Sequence, residues 1–172
     1  MLNMKQIVLL LMGASLLLGC QQGKISQQLS EVNDLVTAAK YDSAYQMVMA
    51  LDEQSINSPE DKAHYALRKV QTSYVAGKPL ASADSILDKV IAYYQQHKDI
   101  EKLADAYYYR AIVSYSNGDV RQTIQYYKNA EEYADQLGNL FQQYKVAEGI
   151  TFVNRQCANY NLELDYAKKL WN

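Results

Sequence analysis

Apolar residues recur along this chain at intervals of three and four, and hardly ever at strict alternation. Ile25, Leu29, Val32, Leu35 and Val36 form one such series, and Ile86, Leu87, Val90, Ile91 and Tyr94 another. That spacing puts the apolar side chains on one face of a 3.6-residue turn and predicts amphipathic helices. Breaks between the series carry helix-end chemistry. Ser58-Pro59-Glu60 offers an N-cap, a proline at the first helical position and an acid for the positive end of the helix dipole. Asn117-Gly118-Asp119 offers a residue tolerant of positive φ and then a cap. With only 7 glycines and 2 prolines in 172 residues, a sandwich or barrel is short of turns, and the expected class is all-α.

The helical pattern repeats. Around Gly118, Ala111 and Ser114 precede the turn, and Val120, Ile124, Tyr127 and Ala130 follow it. One period later, a step of roughly 40 in the numbering typical of helical-pair arrays, stand Thr151, Asn154, Ala158, Tyr160, Leu164, Ala167 and Leu170. One period earlier stand Val70, Ser73, Tyr74 and Gly77, then Ala83, Leu87 and Val90, with one extra loop residue beside Pro79. A further period back come Val32, Leu35, Ala39, Tyr41, Ala44, Val48 and Leu51. Four helical pairs are expected, over about 25–53, 59–95, 99–136 and 139–171, in one domain from 25 to 172. A lone helical pair cannot bury its apolar stripes, whereas a stack of pairs buries a continuous core.

The segment from Ala104 to Leu137 resembles a tetratricopeptide repeat. Tyr107 stands at the family's first aromatic position, Ala111 at the small-residue position where helices touch, and Gly118-Asp119 at the inter-helix turn. Tyr127 takes the second aromatic position and Ala130 the small one after it. Arg110, Ser114 and Thr123 depart from the family's Leu, Tyr and Ala. The resemblance implies a right-handed α-α superhelix of about four antiparallel pairs. It also implies a concave groove, lined by first helices, that binds an extended peptide or a partner helix. The groove positions are Leu67, Tyr74, Tyr108, Ile112, Tyr115, Glu148, Phe152 and Arg155. Tyr107 and Tyr127 are then core residues, and Tyr109 and Tyr126 lie at the margins or between neighbouring repeats, their rings partly buried and their hydroxyls wet. Arg110 reads as a snorkelling side chain whose stem packs while its head reaches water; a contact to a partner carboxylate is the alternative.

The first twenty residues, MLNMKQIVLLLMGASLLLGC, follow a different rule. Lys5 precedes an apolar run from Ile7 to Leu18, the length of a signal-peptide core and short of the about 20 residues that span a bilayer. The run ends Leu17-Leu18-Gly19-Cys20, which resembles a bacterial lipobox. That resemblance implies that residues 1–19 are cleaved as a signal peptide and that Cys20 is lipidated. An uncleaved anchor and an ordinary secreted chain are the other readings. Residues 20–24 form a tether of about 14 Å at most before the first helical series. Gln21-Gln22 supplies neither an Asp retention signal nor an acidic export run, so the outer membrane, facing the periplasm, is the expected site. Cys157 falls inside a helical pattern and is expected as a small buried hydrophobe.

Composition and charge narrow the function classes. The chain is 49% hydrophobic and 21% charged, a globular balance. A net charge of −2 without a basic block argues against nucleic acid. His64 and His97 form no HxxxH or HExxH motif, so no metal is expected. There is no glycine-rich phosphate loop, and Ser85 and Cys157 lack a local nucleophile signature. Glu131-Glu132 and Asp34 read as solvated charge. No catalytic residue and no cofactor are expected.

The expected function is a lipid-anchored, non-catalytic protein-interaction module. Two alternatives stay open. The chain also resembles the front part of larger bacterial tetratricopeptide membrane regulators, which makes it an extracytoplasmic sensor fragment. It also resembles, in outline, an envelope-assembly lipoprotein. Leu170 and Trp171, near the last residue, call for cover by further chain, a partner, or an end-to-end dimer through the C-terminal helix.

Overall fold

The structure, a computed structural model, describes residues 24–80 and 83–169, the side chains of 160, 161 and 169 excepted. The expected signal peptide, Cys20, most of the expected tether, Leu170 and Trp171 lie outside the described residues. Eight α-helices and one short 3-10 turn account for the described chain, with no strand among those residues. No described helix is long and apolar enough to cross a membrane. The chain divides into two compact units, one ending at Lys78 and the other starting at Pro79. The division falls inside the pair expected over 59–95.

The first unit contains α1 (24–37), α2 (Tyr41–Met49), the 3-10 turn Glu53–Ser55 and α3 (Pro59–Val75). Its core joins Ile25, Leu29 and Val32 of α1 to Ala44 and Val48 of α2, Ile56 of the connection and Tyr65 of α3. Those of α1 and α2 are apolar positions of the sequence pattern, brought together because each helix offers them on one face. The Ser58 hydroxyl accepts the Asp61 N–H at 3.2 Å and starts α3, with Pro59 just inside. Lys69 of α3 reaches back to Glu53 at 3.3 Å.

The second unit is a run of five helices: α4 (Ala83–His97), α5 (Ile100–Ser116), α6 (Val120–Leu137), α7 (Leu140–Gln156) and α8 (Tyr160–Lys169). Each packs on the next, and α5 also touches α7. Side-chain caps start three of them: Asp99 accepts from Lys102 N, Asp119 from Gln122 N, and Asn139 from Phe141 N and Gln142 N. The center of the unit is α5, buried almost all the way round from Leu103 to Ser114. Tyr107 and Tyr127 are core residues, at 7% and 4% exposure. Tyr109 is enclosed more fully than the partial burial that the spacing suggested, because α5 has neighbours on several sides. Tyr126 keeps its half-buried place.

The backbone repeats where the sequence does. The helices α1, α3, α5 and α7 each end in a left-handed residue: Ala39, Gly77, Gly118 and Ala158, with φ between +55° and +80°. Each turn closes with the same long hydrogen bond, Lys40 to Leu35, Lys78 to Ser73, Asp119 to Ser114 and Asn159 to Asn154, at 2.8–3.0 Å. This is the Schellman closure, which satisfies a helix's last carbonyls and reverses the chain. Lys98 and Gly138 end α4 and α6 in the same left-handed way.

One glycine is required by packing and not by φ. A Cβ on Gly149, in the middle of α7, would meet the Tyr127 ring at 2.6 Å. Glycine costs about 1 kcal/mol against alanine inside a helix, and here it lets α7 close on α6.

Three further sequence expectations fail in this unit. The head of Arg110 does not snorkel: its side chain is 8% exposed. Its Nε donates to Asp88 at 2.8 Å, and its Nη1 donates to Asp84 and to Ser114, the latter at 3.2 Å. Its guanidinium lies 4.7 Å from the center of the Tyr126 ring. Burial works against the charge, but the Asp88 hydrogen bond with the nearby Tyr126, Asp88 and Asp84 outweighs it and holds the guanidinium pKa above the ordinary value. Cys157 is exposed, with a free thiol. It follows the last residue of α7, so the helical face that would have buried it has already ended. Glu131 is not fully solvated either, for its carboxylate accepts from Lys128 at 3.0 Å and from the Tyr166 hydroxyl of α8 at 2.9 Å.

Candidate interaction surface

The expected groove positions fall in both units. In the first, Leu67 is 1% exposed. Ala63, Leu67 and Val70 are all buried at i, i+4 and i+7, so Leu67 belongs to the packed stripe of α3 and to no open surface. Tyr74, near the end of α3, is 43% exposed.

In the second unit, Tyr108 and Ile112 are buried, and α7 supplies the reason for Tyr108. Lys145 of α7 pairs with Asp105 of α5 at 2.5 Å, each side chain less than a fifth exposed. Its ammonium stands 4.5 Å from the center of the Tyr108 ring. Gln142 also donates to Asp105, at 3.2 Å. The Tyr108 ring meets Tyr109 and Tyr127 edge-on, with centers 5.1 and 5.8 Å apart. The Tyr108 stripe of α5 is thus a seat for α7. Only its far end, Tyr115, reaches the surface, where its ring packs edge-on against Phe152 at 5.4 Å.

The open surface lies on α7. Glu148, Phe152 and Arg155 are exposed. The structure adds Leu140, Phe141 and Tyr144, at 80%, 73% and 51% exposure. Phe141, Tyr144, Glu148, Phe152 and Arg155 follow one another at intervals of three and four, so they share one helix face. The opposite face carries Val146, Ile150 and Val153, all buried. Two apolar stripes on one helix were legible in the spacing of Phe141, Tyr144 and Phe152, and a leucine and two rings exposed together at a helix start are an unusual surface. Arg155 is not wholly unengaged, since its Nε donates to Glu163 of α8 at 2.7 Å while its side chain stays 61% exposed.

This surface offers rings, a leucine and one charge of each sign. Among the described residues no three His, Cys, Asp or Glu side chains gather to hold a metal ion. No family model matches the chain, and neither a curated protein nor a solved structure matches it.

Proposed function

We propose that this chain is a lipid-anchored, non-catalytic helical-repeat module that binds a partner helix or peptide along α7, on the periplasmic side of the envelope. One observation carries the binding surface: a helix buried on one face exposes a second stripe of three aromatic rings flanked by Leu140. Water-exposed rings in a row are costly to keep unless something covers them, and aromatic side chains are enriched in the cores of interfaces. The tetratricopeptide reading and its right-handed superhelix draw support from the Ala104–Leu137 unit, the enclosed Tyr107 and Tyr127, and the recurring left-handed turns. Anchoring rests on the Leu17-Leu18-Gly19-Cys20 sequence.

Two experiments test the two halves. A photo-cross-linking amino acid replacing Phe141 or Phe152 in growing cells gives a discrete adduct, and one replacing the exposed Gln125 of α6 gives none; equal adducts at all three positions remove α7 as the binding surface. A clickable fatty acid labels the wild-type chain and leaves Cys20→Ser unlabelled; a wild type without label ends the lipid-anchor reading.

A further inference from the structure

The α7 stripe is self-complementary. Glu148 and Arg155 stand two helical turns apart along the same face, with Phe152 between them. Across a twofold axis, residue i of one copy meets residue j of the other, and j meets i. Laying two α7 helices antiparallel with the axis beside Phe152 sets Glu148 of each copy against Arg155 of the other. The two Phe152 rings then meet at the center. Tyr144 and Phe141 extend over the turn that follows α7 in the partner. The Nε of Arg155 is committed to Glu163, but a guanidinium carries further donors on its two terminal nitrogens.

The internal repeat says what shape of occupant fits. Positions 148, 152 and 155 lie one repeat period beyond Tyr108, Ile112 and Tyr115. On α5 that register lies under or against a helix: Tyr108 beneath Lys145 of α7, and Tyr115 against Phe152. On α7 the same register is open. A helix running its length covers about 25 Å, at 1.5 Å per residue. We infer that the partner helix is α7 of a second copy of this chain, docked antiparallel about a twofold axis beside Phe152. The inference rests on the reading of α7 as a binding surface and names its occupant.

The test uses the full-length chain, expressed with its leader and purified in mild detergent. In a Cys157→Ser background, Phe152→Cys forms a disulfide-linked dimer under mild oxidation. Gln125→Cys in the same background does not, and Cys157→Ser alone stays unlinked. Glu148→Arg and Arg155→Glu each weaken self-association by about tenfold or more, and the two together restore it to within about threefold of wild type. Arg155→Glu also loses the Glu163 contact, so thermal melts confirm its folding; if it does not fold, the double variant is replaced by mixing Glu148→Arg with wild type, where one of the two charge pairs survives and association is intermediate. Absence of the disulfide link in the Phe152→Cys variant, or a double reversal no better than the singles, overturns the inference. So does a monomeric wild type. A monomer that still forms an adduct with another protein at Phe141 overturns self-pairing and leaves the α7 surface standing, whereas a monomer with no adduct removes both.

Discussion

Arg110 shows how one residue's role depends on neighbours far away in sequence. It stands where the sequence resemblance expects a leucine, and taken alone its long stem permits a head in water. In the fold, Asp84 and Asp88 of the preceding helix meet that head, and Asn117 braces Asp84 at 2.6 Å. Arg110→Met therefore loses stability, by about 2 kcal/mol, instead of being neutral; the cost is below that of breaking a fully buried pair because both carboxylates keep contact with water. Urea unfolding at neutral pH measures it, and an unchanged midpoint would return the residue to the snorkelling reading. Asp61 gives a prediction of the opposite kind. Burial, then the charge of Glu60, raises its pKa above the ordinary carboxylate value. The native chain then holds more protons than the unfolded one just above pH 4, so this residue's contribution falls as pH rises through that window. Asp61→Asn removes the fall: its stability relative to wild type rises from about pH 3.5 to neutrality, as paired denaturant midpoints across that range would show.

At the scale of elements, the contact between α5 and α7 decides which stripe is surface. Asp105 and Lys145 are its polar center, and both are mostly shielded from water. Breaking the pair from one side strands a buried charge. Lys145→Met or Asp105→Leu alone costs about 3 kcal/mol, while the two together cost much less, because no charge is left unpaired. A double-mutant cycle in denaturant checks this, and additive losses would show that the two groups do not depend on each other. The single variants also loosen the cover over Tyr108, so its ring becomes more accessible to a tyrosine-modifying reagent. α7 itself is held by a different device, the missing side chain of Gly149 beneath Tyr127.

For the whole molecule, each of the two units contains a group that titrates in alkali and whose pKa is raised. In the first unit burial works to lower the Lys69 pKa, but Tyr65 and Glu53 outweigh it and raise the value. In the second, burial above all, with Tyr133, Tyr126 and Glu132 nearby, raises that of Tyr107. In both cases the native state keeps a proton that the unfolded state releases. The stability they contribute is present below about pH 10 and lost as pH climbs through the raised values. Thermal melts from about pH 8 to 11.5 therefore fall more steeply for wild type than for the double variant Lys69→Met with Tyr107→Phe. Parallel slopes would contradict the assignment.

The helices, their caps and the repeat period were legible in the sequence because each depends on residues within one or two turns. Ser58-Pro59, Gly118-Asp119 and the apolar series of α1 and α4 act locally, and local chemistry determines where a helix begins, ends and turns its apolar side. The core places of Tyr107 and Tyr127 were legible for the same reason, through the repeat. Which of two apolar stripes meets a neighbour was not legible, because that depends on helices distant along the chain. Tyr108 and Phe152 read alike in the sequence. Only the packing of α7 on α5 encloses the first and leaves much of the second in water, and only the arrival of Asp84 and Asp88 from α4 turns Arg110 from a surface cation into a buried clasp.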